Sequence, residues 1–194
     1  MAEISHVRMG TPEQDTLSRL LREAGTTMFP QWLYAEPADE AEILWWGIRG
    51  APTQLLQRID DPARRRLLPR PIDDWSEPPR GLVLATADAR RAAGELGPVL
   101  GEDWHAAGED PLIGARCYRI AVGHAFVVLA EPIAEGYTAT CLSRFGEGPV
   151  AVALDGENAT GRASRWNPVS LGPAVYVRVG EAIRSPMLIF LQSH

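Results

Sequence analysis

The 194-residue sequence predicts an α+β protein in which two βαβββ modules pair into one curved mixed sheet, preceded by an N-terminal helical extension. Three observations carry this prediction. Residues 81–131 read as a strand, a helix and three strands, and residues 148–192 repeat that order with a shortened helix. The stretch 68–80, LPRPIDDWSEPPR, holds four prolines and marks a boundary between the two parts of the chain. Each repeat closes on a compact apolar strand, HAFVVLA in the first and MLIFL in the second. Each module has one face of sheet to bury, so the two should pack together around a groove. The expected division is an α/β extension over 1–79 and a paired-module domain over 80–194.

Along the chain, residues 3–9 (EISHVRM) read as a strand. Thr11, Pro12 and Gln14 then form a helix start, Leu17, Leu20, Leu21 and Ala24 make one apolar stripe, and Gly25 ends it. Residues 42–49 (EILWWGIR) suit a strand, with a buried helix as the alternative. Pro52 opens an expected short helix through Leu55, Leu56 and Ile59, and Asp61-Pro62 starts another over 62–68. Beyond the proline-rich stretch, GLVLAT (81–86) is a strand and 88–100 an alanine-rich helix limited by Pro98. Strands are expected at 103–107, 115–122 and 124–130. Residues 137–144 fit strand or helix, 148–155 (GPVAVALD) a strand, and 156–170 a loop with at most one helical turn. Strands at 174–179 and 187–191 close the chain.

Composition excludes several classes. The net charge of −6 argues against a nucleic-acid or anionic-membrane surface. No apolar run approaches the length of a membrane-spanning helix, and the polar start MAEISHVRMG does not read as a signal peptide, so a cytoplasmic protein is expected. All 19 basic residues besides histidine are arginine, which removes lysine as nucleophile or general base. Cys117 and Cys141 match no zinc spacing and read as buried, reduced residues. His6, His105, His124 and His194 form no metal-binding pair, and no phosphate loop or nucleophile elbow is present.

Three stretches then point further. GLVLATAD, FVVLAEP with the later FGEGPVAVAL, and VYVRVGEAIRSPMLIFLQ together resemble the vicinal oxygen chelate superfamily, which includes glyoxalase I, methylmalonyl-CoA epimerase, extradiol dioxygenases and bleomycin-resistance proteins. The resemblance spans about residues 80–194. It implies a cup-shaped cavity between the modules and a dimer as the expected assembly. ISHVRMGTPEQD resembles a further module opening, so the extension reads as a degenerate extra half-module. Enzymes of this superfamily mostly hold a divalent metal on His, Gln or Glu at one position in each of four strands. Here those positions carry Gly81, Val128, Ala151 (or Val150 one register earlier) and Phe190, none of which offers a donor. No metal, no cofactor and no catalytic residue is therefore assigned.

The expected function is a metal-free small-molecule-binding protein of glyoxalase and bleomycin-resistance-like fold, with an apolar, aromatic-lined cup for a natural-product-like ligand. Candidate wall residues are His124 at the cavity mouth, Phe126 and Val128 on the same strand face, Phe190 in the closing strand, and Trp45 and Trp166 as flat apolar surfaces. Arg116 and Arg119 point to opposite faces of one strand. Whichever faces the cavity would clamp a carboxylate or phosphate. Asp73-Asp74 and Glu109-Asp110 read as solvated loop pairs. A metal-free isomerase, cyclase or lyase using His124 is the alternative, and a domain whose cup is filled by its own side chains is a third reading.

Overall fold

The computed structural model describes residues 3–11, 14–24, 33–37, 42–49, 55–57, 79–100, 103–156, 164–166, 174–179 and 186–191. The expected helix at 62–68, the linker up to 78, and Trp32 and Trp75 lie outside these residues.

The first described unit runs β1 (Glu3–Thr11), α1 (Gln14–Glu23), β2 (Leu33–Pro37), β3 (Glu42–Arg49) and β4 (Leu55–Gln57). Its strands pair in the order β2-β1-β3-β4. The N-terminal extension is thus a small sheet with one described helix, richer in strand than the sequence suggests. Leu55 and Leu56 show why. A short apolar run fits either period, and here it pairs against β3 at Gly47 and Ile48 instead of forming the expected helix. The strand at Leu33–Pro37 carries no clear sequence signal and exists as a parallel partner of β1. α1 matches its apolar stripe, with Leu17, Leu21 and Ala24 buried.

The second unit is one eight-stranded sheet, ordered β10-β11-β12-β9-β5-β8-β7-β6. Its first half holds β5 (Gly81–Ala85), α2 (Ala89–Leu100), β6 (His105–Asp110), β7 (Ala115–Val122) and β8 (Ala125–Pro132). A linking helix, α3 (Tyr137–Phe145), resolves the strand-or-helix ambiguity of 137–144. The second half holds β9 (Gly148–Asp155), β10 (Ser164–Trp166), β11 (Ala174–Arg178) and β12 (Met187–Leu191). In each half the first strand lies parallel to the last, β5 to β8 and β9 to β12. The halves join at the centre through antiparallel β5 and β9, with Val83 opposite Ala151. The extension has the same strand-helix-three-strand succession, yet β1 takes β2 as its parallel neighbour instead of the last strand.

One hydrogen bond fixes which face is concave. Tyr176 on β11 donates its hydroxyl to Asp110 Oδ2 on β6 at 2.6 Å. Six inter-strand steps separate those strands in the sheet order. At about 4.8 Å each, a flat sheet would hold them about 29 Å apart, far beyond the reach of a tyrosine. The sheet therefore curls toward the face bearing Tyr176. That face carries Val83, Cys117, Phe126, Val128, Ala151, Ala153 and Ile189 in one buried cluster. The opposite, convex face carries Leu82, Leu84, Ile120, Leu129, Leu154, Leu188 and Phe190. These residues share a core with Ala89 and Ala92 of α2 and with Ile4, Val7, Met9, Leu17 and Leu21 of the extension. Among the described residues no helix is long and apolar enough to cross a membrane.

Candidate functional site

The concave face is built by strand alternation. β5 contributes Gly81 and Val83, β8 Phe126 and Val128, β9 Ala151 and Ala153, and β12 Met187 and Ile189. Its floor is closed by a specific fit. A Cβ at Gly81 would stand 2.1 Å from Phe126 Cε2, so only glycine leaves room for the ring.

At one end, α3 seals the cup. Tyr137 and Cys141 are buried against the sheet, and the Tyr137 hydroxyl donates to the Val150 carbonyl at 2.5 Å. Thr138 donates to the Ile113 carbonyl at 2.7 Å, tying α3 to the loop before β7. Burial raises the Tyr137 phenol well above its ordinary range. Burial likewise pushes the Cys141 thiol up to about 11, with the Tyr137 hydrogen bond and Arg178 opposing it. Cys141 and Cys117 are both buried and outside any disulfide among the described residues, and Cys141 at least is a poor nucleophile at neutral pH. Across the cup, Asp110 is fully buried and also accepts the Leu112 N–H at 3.0 Å. Burial, then the Asp110 charge, holds the Tyr176 hydroxyl firmly protonated as the donor. Asp110 is therefore not the solvated loop carboxylate its neighbourhood suggests. It ends β6 pointing inward, whereas Glu109 points out to Arg116 at 3.5 Å. That inward turn depends on the register of β6, which no local sequence signal reveals.

At the other end Arg119 is exposed. Arg119 lies on the concave face, two residues beyond Cys117, with its guanidinium carbon 4.2 Å from the Phe126 ring centroid. Arg80 sits beside this end, paired with Asp155 at 3.3 Å. Desolvation, then the nearby Arg80 charge, lowers the Arg119 pKa from its ordinary value.

The candidate residues separate. Phe126 and Val128 lie together on the concave face. Phe190 lies on the convex side, packed toward Gly156, where a Cβ would come within 2.8 Å of its ring. A one-residue register difference explains this: Met187 and Ile189 are the residues of the closing strand that face the cup. His124 is not a strand residue at the mouth. It is exposed in the β7–β8 turn beside Gly123, whose φ of 63° favours glycine, and it makes no hydrogen bond among the described residues. Trp45 stands in β3 opposite Arg8, in the other sheet, and Trp166 ends β10, opposite Ala174 at the far edge of the large sheet.

Gly81, Val128, Ala151 and the cup-facing Met187 and Ile189 do not fit a divalent cation, because none presents a nitrogen or oxygen donor. Among the described residues no group of three or more His, Cys, Asp or Glu could hold one.

The motifs behind the resemblance meet elsewhere. Asp88 Oδ1 accepts the Arg91 N–H at 2.9 Å as a helix cap, and Glu131 Oε2 accepts the Ala89 N–H at 2.9 Å. Glu147 Oε1 accepts from the Thr86 hydroxyl and the Ala87 N–H, both at 2.8 Å, and Oε2 pairs with Arg91. Three acidic side chains thus converge on the N-terminus of α2, where the helix dipole favours them. Burial works against the charge on Glu147, but Arg91, Ala87 and Thr86 hold its carboxyl below the ordinary value. The motif residues are scaffold.

No protein-family model and no curated protein matches this sequence. Solved structures do. Methylmalonyl-CoA epimerase from Mycobacterium tuberculosis is similar over 60% of this chain and 87% of its own, at 17% identity and a TM-score of 0.48. A Streptomyces coelicolor methylmalonyl-CoA epimerase in complex with 2-nitronate-propionyl-CoA is similar over 58% and 92%, at 13% identity and a TM-score of 0.47. A mutant 4-hydroxymandelate synthase from Streptomyces coelicolor is similar over 98% and 92%, at 10% identity and a TM-score of 0.54. At 10% identity, what the chain shares with the 4-hydroxymandelate synthase is the fold.

Proposed function

We propose that this chain is a small-molecule-binding protein that works without a coordinated metal, its site lying on the concave face between the two modules at the Phe126 end. The observation that carries the reading is the residue set on that face. Where a chelating site would need donors, the strands present Gly81, Val128, Ala151 and Ile189, and the Phe126 ring fills the floor. Such a surface gains affinity by burying apolar area and stacking rings, at about 25 cal/mol per Å² removed from water, not by coordination. The exposed turn position of His124 gives the reading of an enzyme based on that histidine no partner geometry.

On this reading residues 80–194 form the binding unit, residues 1–79 are an α/β extension, and the ligand is apolar, ring-bearing and natural-product-like. The protein is taken as cytoplasmic and homodimeric, and light scattering on the full chain tests the dimer directly. The decisive experiment is native mass spectrometry of protein purified from its host. A stoichiometric co-purifying small molecule, retained after strong chelator, is the expected result. A stoichiometric transition metal whose removal abolishes binding would overturn the reading. A chain that holds no small molecule would instead support a self-filled interaction domain.

A further inference from the structure

The Arg119 end of the concave face holds an exposed positive charge with no matching negative one among the described residues. Arg80 is neutralised by Asp155 at 3.3 Å, Arg91 by Glu95 and Glu147, and Arg116 faces Glu109. Arg119 pairs with no carboxylate among the described residues. Beside it stand the Phe126 ring at 4.2 Å and the like charge of Arg80. Arg119 is also the arginine of its strand that faces inward, since Cys117 two residues earlier is buried in the concave cluster.

From this placement we infer that the ligand carries a single carboxylate next to its apolar ring system, and that Arg119 is the residue that recognises it. The inference rests on the binding reading above and adds the ligand's charge. A guanidinium held over a ring keeps its N–H donors around its rim, in a fork matched to the two oxygens of a carboxylate. The Phe126 face beneath fixes the plane of that fork, and Gly81 beneath Phe126 fixes the ring. The charge count selects the anion. With Arg80 already paired, one net positive charge is left at this end among the described residues, which suits a singly charged carboxylate better than a doubly charged phosphate.

The test is calorimetric titration of the full chain with benzoate, benzamide and phenyl phosphate. Benzoate should bind about tenfold or more tighter than benzamide, the margin expected of a charge-assisted hydrogen-bonded pair. Arg119→Gln should erase that margin, and Arg119→Lys should keep part of it. Arg119 is exposed, so both variants should melt like the parent, and circular dichroism confirms that the fold is retained. A benzoate preference that survives Arg119→Gln overturns the inference, as does phenyl phosphate binding tighter than benzoate. If benzamide binds as well as benzoate to the parent, the carboxylate assignment fails while the binding reading stands. If none of the three binds, the assignment fails. The binding reading then fails with it only if native mass spectrometry also finds no co-purifying molecule.

Discussion

The two faces of the eight-stranded sheet come from the same strands yet carry different residues. On β9 the convex side presents Val152 and Leu154, and the concave side Ala151 and Ala153. On β5, Leu82 and Leu84 oppose Gly81, Val83 and Ala85. On β8, Val127 and Leu129 alternate with Phe126, Val128 and Ala130. Both faces are buried, so hydrophobicity does not distinguish them. Curvature does. Side chains on the inside of a bend converge and must be small, while those outside diverge and must be large to stay in contact. On the inside face Gly81 gives up its side chain to make room for the Phe126 ring.

The outer face offers the most severe perturbation of this contrast. Phe190→Ala removes a fully buried ring from the convex core and should cost about 3–5 kcal/mol in urea unfolding. It should leave ligand affinity untouched. A matching loss of affinity would place Phe190 in the cup wall after all. On the inside, Tyr176→Phe deletes the hydroxyl that bridges the cup to buried Asp110. A hydrogen bond to a buried charge makes this worth about 1.5–3 kcal/mol, and native-state hydrogen exchange should rise in β6 and β11 together.

Size can then be tested against curvature within one strand. Ala151→Leu overpacks the inside and should destabilise by about 1–3 kcal/mol. Val152→Ile, one residue along but on the outside, should cost less than about 1.5 kcal/mol. Equal penalties would sink the curvature argument. Gly81→Ala should be rescued in part by Phe126→Leu, and the double-mutant cycle reads the coupling directly.

The smallest effect concerns the scaffold outside both faces. The Glu147 carboxyl is held below its ordinary value of 4.5, so its contribution is present above that pH and disappears as pH falls through the lowered value. Because the Glu147 side chain is 37% exposed, the contribution should stay under about 1 kcal/mol. Glu147→Gln should therefore lower Tm near neutrality, with the gap to the parent closing below about pH 4.5. A constant gap down to acid pH would assign the loss to packing.

Much of the fold is legible from residue order. The strands GLVLA, AFVVLAEP, GPVAVALD and MLIFL are read from short apolar runs bounded by glycine and proline, and α1 from its cap and its Leu17, Leu21 and Ala24 stripe. β2 is not legible, because Leu33–Pro37 has no periodicity of its own and is a strand only through pairing with β1.

Residue identity and local period are enough to show which segments alternate and how they repeat. Position within the closed sheet is another matter. A one-residue register sends Phe190 to the convex side and leaves Met187 and Ile189 in the cup. A turn lifts His124 out of the strand. Curling of the sheet brings Asp110 to Tyr176 across 66 residues of chain. Contacts so distant in sequence are set by closure of the whole sheet, and no window of neighbouring residues encodes that closure.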